Sequence, residues 1–108
     1  AFKMDEITPV EVIWTEAAVQ NLESLAEYIA LSNPVAASAL VSRIFEVVER
    51  LAQFPESGRF PPELEGFPYR EVIVNPCRVF YRVENSKVFI LHVFRQERDI
   101  RRFLAGSE

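Results

Sequence analysis

Seven arginines hold most of the chemistry open to this sequence: Arg70, Arg78, Arg82, Arg95, Arg98, Arg101 and Arg102, all in its C-terminal half. A guanidinium is a permanently charged planar fork of donors, shaped for phosphates and carboxylates. In "RVFYRV", residues 78–83, strand alternation puts Arg78, Phe80 and Arg82 on one face and Val79, Tyr81 and Val83 on the other. The second set belongs beneath a covering layer. Arg78 and Arg82 are therefore expected on the opposite, open face, with Arg70 and Arg95 on neighbouring strands as companions. Such a cluster would recognise a phosphate or a carboxylate. The competing reading is a solvated face on which arginines pair with Glu71, Glu84 and Glu97, each pair contributing about 0–1 kcal/mol. Composition alone favours the second.

The other reactive side chains are sparse. His92 has the parity of Val88, Ile90 and Phe94 in an apolar run, so a structural histidine is expected rather than a general base. Cys77 lies in a turn with no histidine near it in sequence, which argues against a nucleophile. One Cys and one His make neither an internal disulfide nor a metal site, and no metal or cofactor is expected. A reducing compartment, the cytoplasm, fits the unpaired thiol.

Net charge is −4, which disfavours nonspecific nucleic-acid binding, and no direct specific DNA binding by the chain alone is expected. That average hides an asymmetry: residues 1–66 hold four basic and eleven acidic side chains, whereas residues 67–108 hold eight basic and five acidic. The N-terminal "AFKMDEI" has no apolar segment of a secretion signal, and Met4 is expected to be the natural start, with Ala1, Phe2 and Lys3 outside the native chain. The Val88–Phe94 run is too short to span a bilayer, so no membrane association is expected.

The elements that position these residues follow from periodicity. At 108 residues the chain makes a single domain, residues 1–108. "PVEVIWT", residues 9–15, alternates as a first strand, and Thr15 offers a helix N-cap. Ala18, Leu22, Leu25, Ala26 and Ile29 recur at helical spacing and predict a helix over 16–31. Asn33-Pro34 restarts a helix over 34–54, in which Leu40, Ile44, Val47, Val48 and Leu51 form the apolar stripe. Prolines 55, 61 and 62 with Gly58 and Gly66 make residues 55–66 a loop. Strands over 67–74, 78–84 and 87–95, joined at Asn75-Pro76 and Asn85-Ser86, form an antiparallel meander. The fold class is α+β: an N-terminal strand and an antiparallel helical hairpin packed on an antiparallel sheet, in the order β-α-α-β-β-β. A short C-terminal tail or helix, residues 99–104, follows.

Several stretches taken together resemble the RelE/ParE superfamily of bacterial toxins. They are Trp14-Thr15-Glu16-Ala17-Ala18, Glu27-Tyr28-Ile29 followed by Asn33-Pro34-Val35-Ala36-Ala37, Leu51 to Arg59 ("LAQFPESGR"), Arg78-Val79-Phe80-Tyr81-Arg82-Val83, and Arg95-Gln96-Glu97-Arg98-Asp99. The resemblance covers nearly the whole chain. It implies the toxin of a type II toxin–antitoxin pair, including plasmid-stabilisation systems, held in a hetero-oligomer with a cognate antitoxin. RelE-like members cleave mRNA in the ribosomal A site with basic residues and no metal, whereas ParE-like members inhibit DNA gyrase and lack a complete cleavage set.

Carried over by position, Arg70, Arg78, Arg95 and Arg98 are the RelE-like catalytic candidates. Val72 stands where a second basic residue would help, Gln96 stands near the late arginine, and Arg102 replaces the C-terminal aromatic. The long hairpin, Gly58-Arg59 and Arg98-Asp99 look ParE-like, although Arg95 stands where many such chains have histidine. The resemblance thus implies a non-enzymatic gyrase inhibitor, with a ribosome-dependent mRNA endonuclease, or an inactive remnant that only binds antitoxin, as alternatives. Because Val88–Phe94 is apolar on both faces while one hairpin covers only one, an antitoxin segment is expected across this strand. Val93 would be its apolar contact and Arg95, Arg98, Arg101 and Arg102 its ionic ones, with Arg78 and Arg82 available to target or antitoxin.

Overall fold

The computed structural model describes residues 9–98, and the tail from residue 99, with Arg101 and Arg102, lies outside the described residues. Its elements are β1 (Glu11–Trp14), α1 (Glu16–Ala30), α2 (Pro34–Arg50), a 3-10 turn (Pro62–Leu64), β2 (Arg70–Val74), β3 (Cys77–Glu84) and β4 (Lys87–Arg95). Among the described residues, no helix is long and apolar enough to cross a membrane. Both helix starts follow from their caps: Thr15 Oγ1 accepts from the Ala18 amide, and Asn33 Oδ1 from that of Ala36, with Pro34 in the first turn. The second helix ends at Arg50, short of residue 54, where the chain tightens into turns.

The sheet has the order β1-β4-β3-β2. The expected α+β architecture stands, with one correction: β1 lies parallel to β4, so the sheet is mixed rather than antiparallel throughout. The helical hairpin is the reason. The Val10 amide donates to the Ala52 carbonyl at 2.8 Å, so the chain leaves α2 beside the start of β1. From there β2 runs in the sense of β1, β3 against it, and β4 again with it. Two antiparallel steps leave the last strand parallel to the first.

One face of the sheet carries the main core. Val79, Tyr81, Val88, Ile90 and Val93 pack against Ala18 and Leu22 of α1 and Leu40, Ile44 and Val48 of α2. The opposite face is covered in part by the 60s loop: Leu64 and Tyr69 pack on Phe80 and Phe94.

That arrangement rests on a bulge. Phe80 pairs with His92 but Tyr81 pairs with Ile90, leaving Leu91 as the extra residue in β4. The expected parity of β4 is therefore corrected. Val88 and Ile90 face the helices, and so does Val93, whereas His92 and Phe94 turn to the other side. A strand with a bulge in its middle is apolar at consecutive positions because its core-facing parity changes partway along. The cover expected from a partner is supplied, at Phe94, by the protein's own loop.

Candidate functional site

Arg78 and Arg82 do lie on the face away from the helices, and their settings differ. Arg78 is the second residue of β3, after Cys77, and stands opposite Ile73, while Glu71 on β2 pairs with Phe80 on the same face. Cross-strand neighbours on one face meet, and Arg78 Nε donates to Glu71 Oε1 at 2.6 Å. The Glu71 side chain is 0% exposed and that of Arg78 8%. The other Glu71 oxygen accepts from Arg59 Nε at 2.6 Å, and Arg78 Nη1 donates to Glu63 Oε2 at 2.8 Å. Two guanidiniums and two carboxylates thus form one chain, Arg59–Glu71–Arg78–Glu63. The hydrogen bond from Arg78 holds the Glu63 carboxyl below the usual carboxylate range.

Two features lock the loop that supplies Arg59 and Glu63. Arg59 and Glu71 exchange both backbone hydrogen bonds, at 3.1 and 2.8 Å, which covers part of the outer edge of β2. Tyr81 Oη accepts from the Gly58 amide and donates to the Pro55 carbonyl, both at 2.8 Å. A Cβ on Gly58 would stand 2.5 Å from Tyr81 Oη and 2.7 Å from the Glu71 carbonyl, so only glycine permits this approach.

The other predicted arginines are dispersed. Arg70 pairs with Tyr81 and shares its face, donates to the Gly58 carbonyl at 2.8 Å, and stacks over Phe60 at 4.2 Å. It is not a companion of Arg78. Arg82 is half-exposed, 2.9 Å from Glu84 and over the Phe89 ring at 5.3 Å. Arg95 pairs with Cys77 across the ladder and donates to Glu97 at 2.9 Å. Arg98 lies over Phe94 at 5.1 Å. The three pairings with Glu71, Glu84 and Glu97 anticipated for a bland face all form, and only that of Glu71 is deeply buried.

Arg95 and Arg98 do come together, in a groove of about 600 Å³ between α1 and the end of β4, with Asn21, Leu25 and Tyr28 on its helical side. Since β1 pairs only as far as Ile90, the later part of β4 has no strand neighbour on that side among the described residues. Asn21 Oδ1 accepts from the Val93 amide at 3.1 Å and satisfies that edge locally. It also lies 3.2 Å from His92 Nδ1, and burial pushes the His92 imidazole below its ordinary range. The Val93 side chain, expected to meet a partner, is in the main core at 2% exposure, so chiefly backbone is presented there. By ladder alternation the backbone of Arg95 also faces the groove.

Sequence reasoning missed Glu63, Arg59 and Asn21. A signal existed for Asn21, a polar residue in the stripe Ala18, Leu22 and Leu25. None existed for Glu63, whose partner is fifteen positions away across a proline loop.

Residues 12–100 match the family model described as the ParE toxin of the type II toxin–antitoxin system, parDE. The chain is 32% identical over 84 residues to Toxin RelE2 of Caulobacter vibrioides, covering 77% of this chain and 91% of that one. It is 41% identical over 87 residues to the putative toxin Y4kP of Sinorhizobium fredii, covering 77% and 88%. Among solved structures it resembles one of the chromosomal ParDE system of P. aeruginosa, with a TM-score of 0.69 and 27% identity over 82% of this chain and 97% of that one. The RelBE2 toxin–antitoxin complex of Mycobacterium tuberculosis shares the fold, with a TM-score of 0.56 and 22% identity over 82% of this chain and 99% of that one.

Proposed function

The chain belongs to the ParE toxin family of type II toxin–antitoxin systems, and from that premise we propose that it acts by binding, holding a DNA topoisomerase such as gyrase. A cognate antitoxin neutralises it in a cytoplasmic hetero-oligomer. The observation that carries the reading is that Arg78 is taken up by carboxylates and set apart from Arg70. Metal-free RNA cleavage needs cationic charge at the scissile phosphate and a base at the 2′-hydroxyl, held together in one site. Here Arg78 is occupied by Glu71 and Glu63, while Arg70 lies on the other face and holds the Gly58 carbonyl. The Tyr81 hydroxyl is engaged at both its donor and acceptor sides. His92 is half-buried and stacked on Phe94. Neither supplies a base beside Arg78.

The antitoxin belongs in the groove of Arg95, Arg98 and Tyr28. An acidic segment laid along the end of β4 would find backbone groups to pair with and guanidiniums to meet. Titrating the purified toxin into a gyrase supercoiling reaction tests the main reading: inhibition relieved by the antitoxin supports it, and unaffected supercoiling over a wide concentration range refutes it.

A second reading, ribosome-dependent mRNA cleavage, draws on the similarity to Toxin RelE2 and on the joint placement of Arg95 and Arg98. It requires toxin-dependent cuts at A-site codons on translating ribosomes that vanish in Arg95→Ala/Arg98→Ala.

A further inference from the structure

The chain of charges on the open sheet face is neutral overall, but its two carboxylates differ in setting, Glu71 being buried and Glu63 partly exposed. Glu71 alone receives both Arg59 and Arg78, each at 2.6 Å, so these three side chains carry a net charge of +1 (two guanidiniums less one carboxylate). Glu63 neutralises the remainder, yet it comes from a one-turn 3-10 segment and its side chain is 31% exposed, against 0% for Glu71. The recess around it is lined by Arg59, Pro62, Ile73, Arg78 and Gln96, and Ile73 presents an apolar side chain there at 42% exposure.

We infer that this recess is a receptor for an acidic side chain of a protein partner, and that Glu63 is its built-in substitute ligand, displaced when the partner's carboxylate takes its place on Arg78. Three observations favour a carboxylate beside an apolar residue over a nucleic-acid phosphate. The donor left for exchange, Arg78 Nη1, is already set at 2.8 Å from a single carboxylate oxygen. The rim beside it, Pro62 and Ile73, is apolar. The chain as a whole is acidic, with a net charge of −4, which repels a polyanion more than one side chain. Guanidinium held in a largely buried site binds a carboxylate more strongly than an exposed one does, because the pair competes with less water. The exchange conserves charge and leaves the Glu71 pairs untouched. It is independent of which target the toxin has.

Glu63 acts as an intramolecular competitor. A contact closed about nine-tenths of the time lowers the apparent affinity of an outside carboxylate about tenfold. The test is an NMR titration of the full chain with the blocked peptide acetyl-Leu-Asp-Glu-Leu-amide, reading the Arg78 Nη1–H resonance. In Glu63→Ala the peptide should bind about tenfold more tightly than in the wild type. The uncharged peptide acetyl-Leu-Asn-Gln-Leu-amide should shift nothing. Glu63→Gln, which keeps the side chain's size, serves as the second variant and should show an intermediate gain. Equal affinity in wild type and variants, or a response that bypasses Arg78, overturns the inference. So does a single-stranded RNA or DNA pentamer that shifts Arg78 more than the peptide does. Failure here leaves the supercoiling result untouched, so the two are separately refutable.

Discussion

Replacing Glu71 by glutamine removes one charge from a side chain that is 0% exposed and keeps its size. Of the two bonds weakened, the one from Arg59 joins a guanidinium whose side chain is 63% exposed, so water replaces it at little cost. The one from Arg78 does not have that recourse, since its side chain is 8% exposed. Removing one partner of a buried pair costs about 3–5 kcal/mol, because the remaining charge is left without full compensation. Glu63 still reaches Arg78 at 2.8 Å, which places the expectation at the lower end, about 3 kcal/mol. Against a total stability of about 5–15 kcal/mol for a domain, that loss is readily measured by urea unfolding at neutral pH. Glu71→Gln/Arg78→Met, in which both members of the pair are uncharged, should be more stable than Glu71→Gln alone. A Glu71→Gln cost below about 1 kcal/mol, or a double variant less stable than the single, would refute the claim that this pair is buried and coupled.

Gly58→Ala should destabilise by about 1–3 kcal/mol in the same assay, because the new methyl group collides with Tyr81 Oη and the Glu71 carbonyl; a neutral result would mean that the loop is not locked there. Asn21→Ala should cost about 1 kcal/mol and, more specifically, should speed hydrogen exchange at the Val93 amide, whose acceptor is lost; unchanged exchange would contradict the edge assignment. Stability should decline on the acid side in two stages. Burial depresses His92 below its ordinary 6.5, so its contribution is complete above that value and lost as pH falls through the folded pKa. Arg78 depresses Glu63 below its ordinary 4.5, so its contribution disappears at still lower pH. Urea midpoints should show the upper stage removed in His92→Phe and the lower in Glu63→Gln, and identical acid profiles in both variants would refute the assignment.

The helices were legible because their stripes and caps are local: Thr15, Asn33 and Pro34 announce where each begins. The strands of the meander were legible from Asn75-Pro76 and Asn85-Ser86, and positive φ at Asn85 and Ser86 fits the two-residue turn read there. What failed was non-local. The sense of β1 depends on where the chain returns after the two helices, and no residue in β1 encodes that. The bulge at Leu91 leaves no glycine or proline as a marker, so an apolar run looked like a strand awaiting a partner. Strand parity put Arg78 and Arg82 on the open face correctly, yet it gave no burial. Whether an arginine on a sheet face meets solvent or a buried carboxylate depends on what the proline loop lays over it.

The most direct test is induction of the toxin in cells without its antitoxin, with plasmid topology and mRNA integrity read from the same culture. The expected outcome is altered supercoiling, traceable to gyrase, while transcripts remain uncut. Codon-positioned mRNA cleavage with unchanged plasmid topology would contradict it, and unaffected growth with both readouts unchanged would leave a remnant that only binds antitoxin.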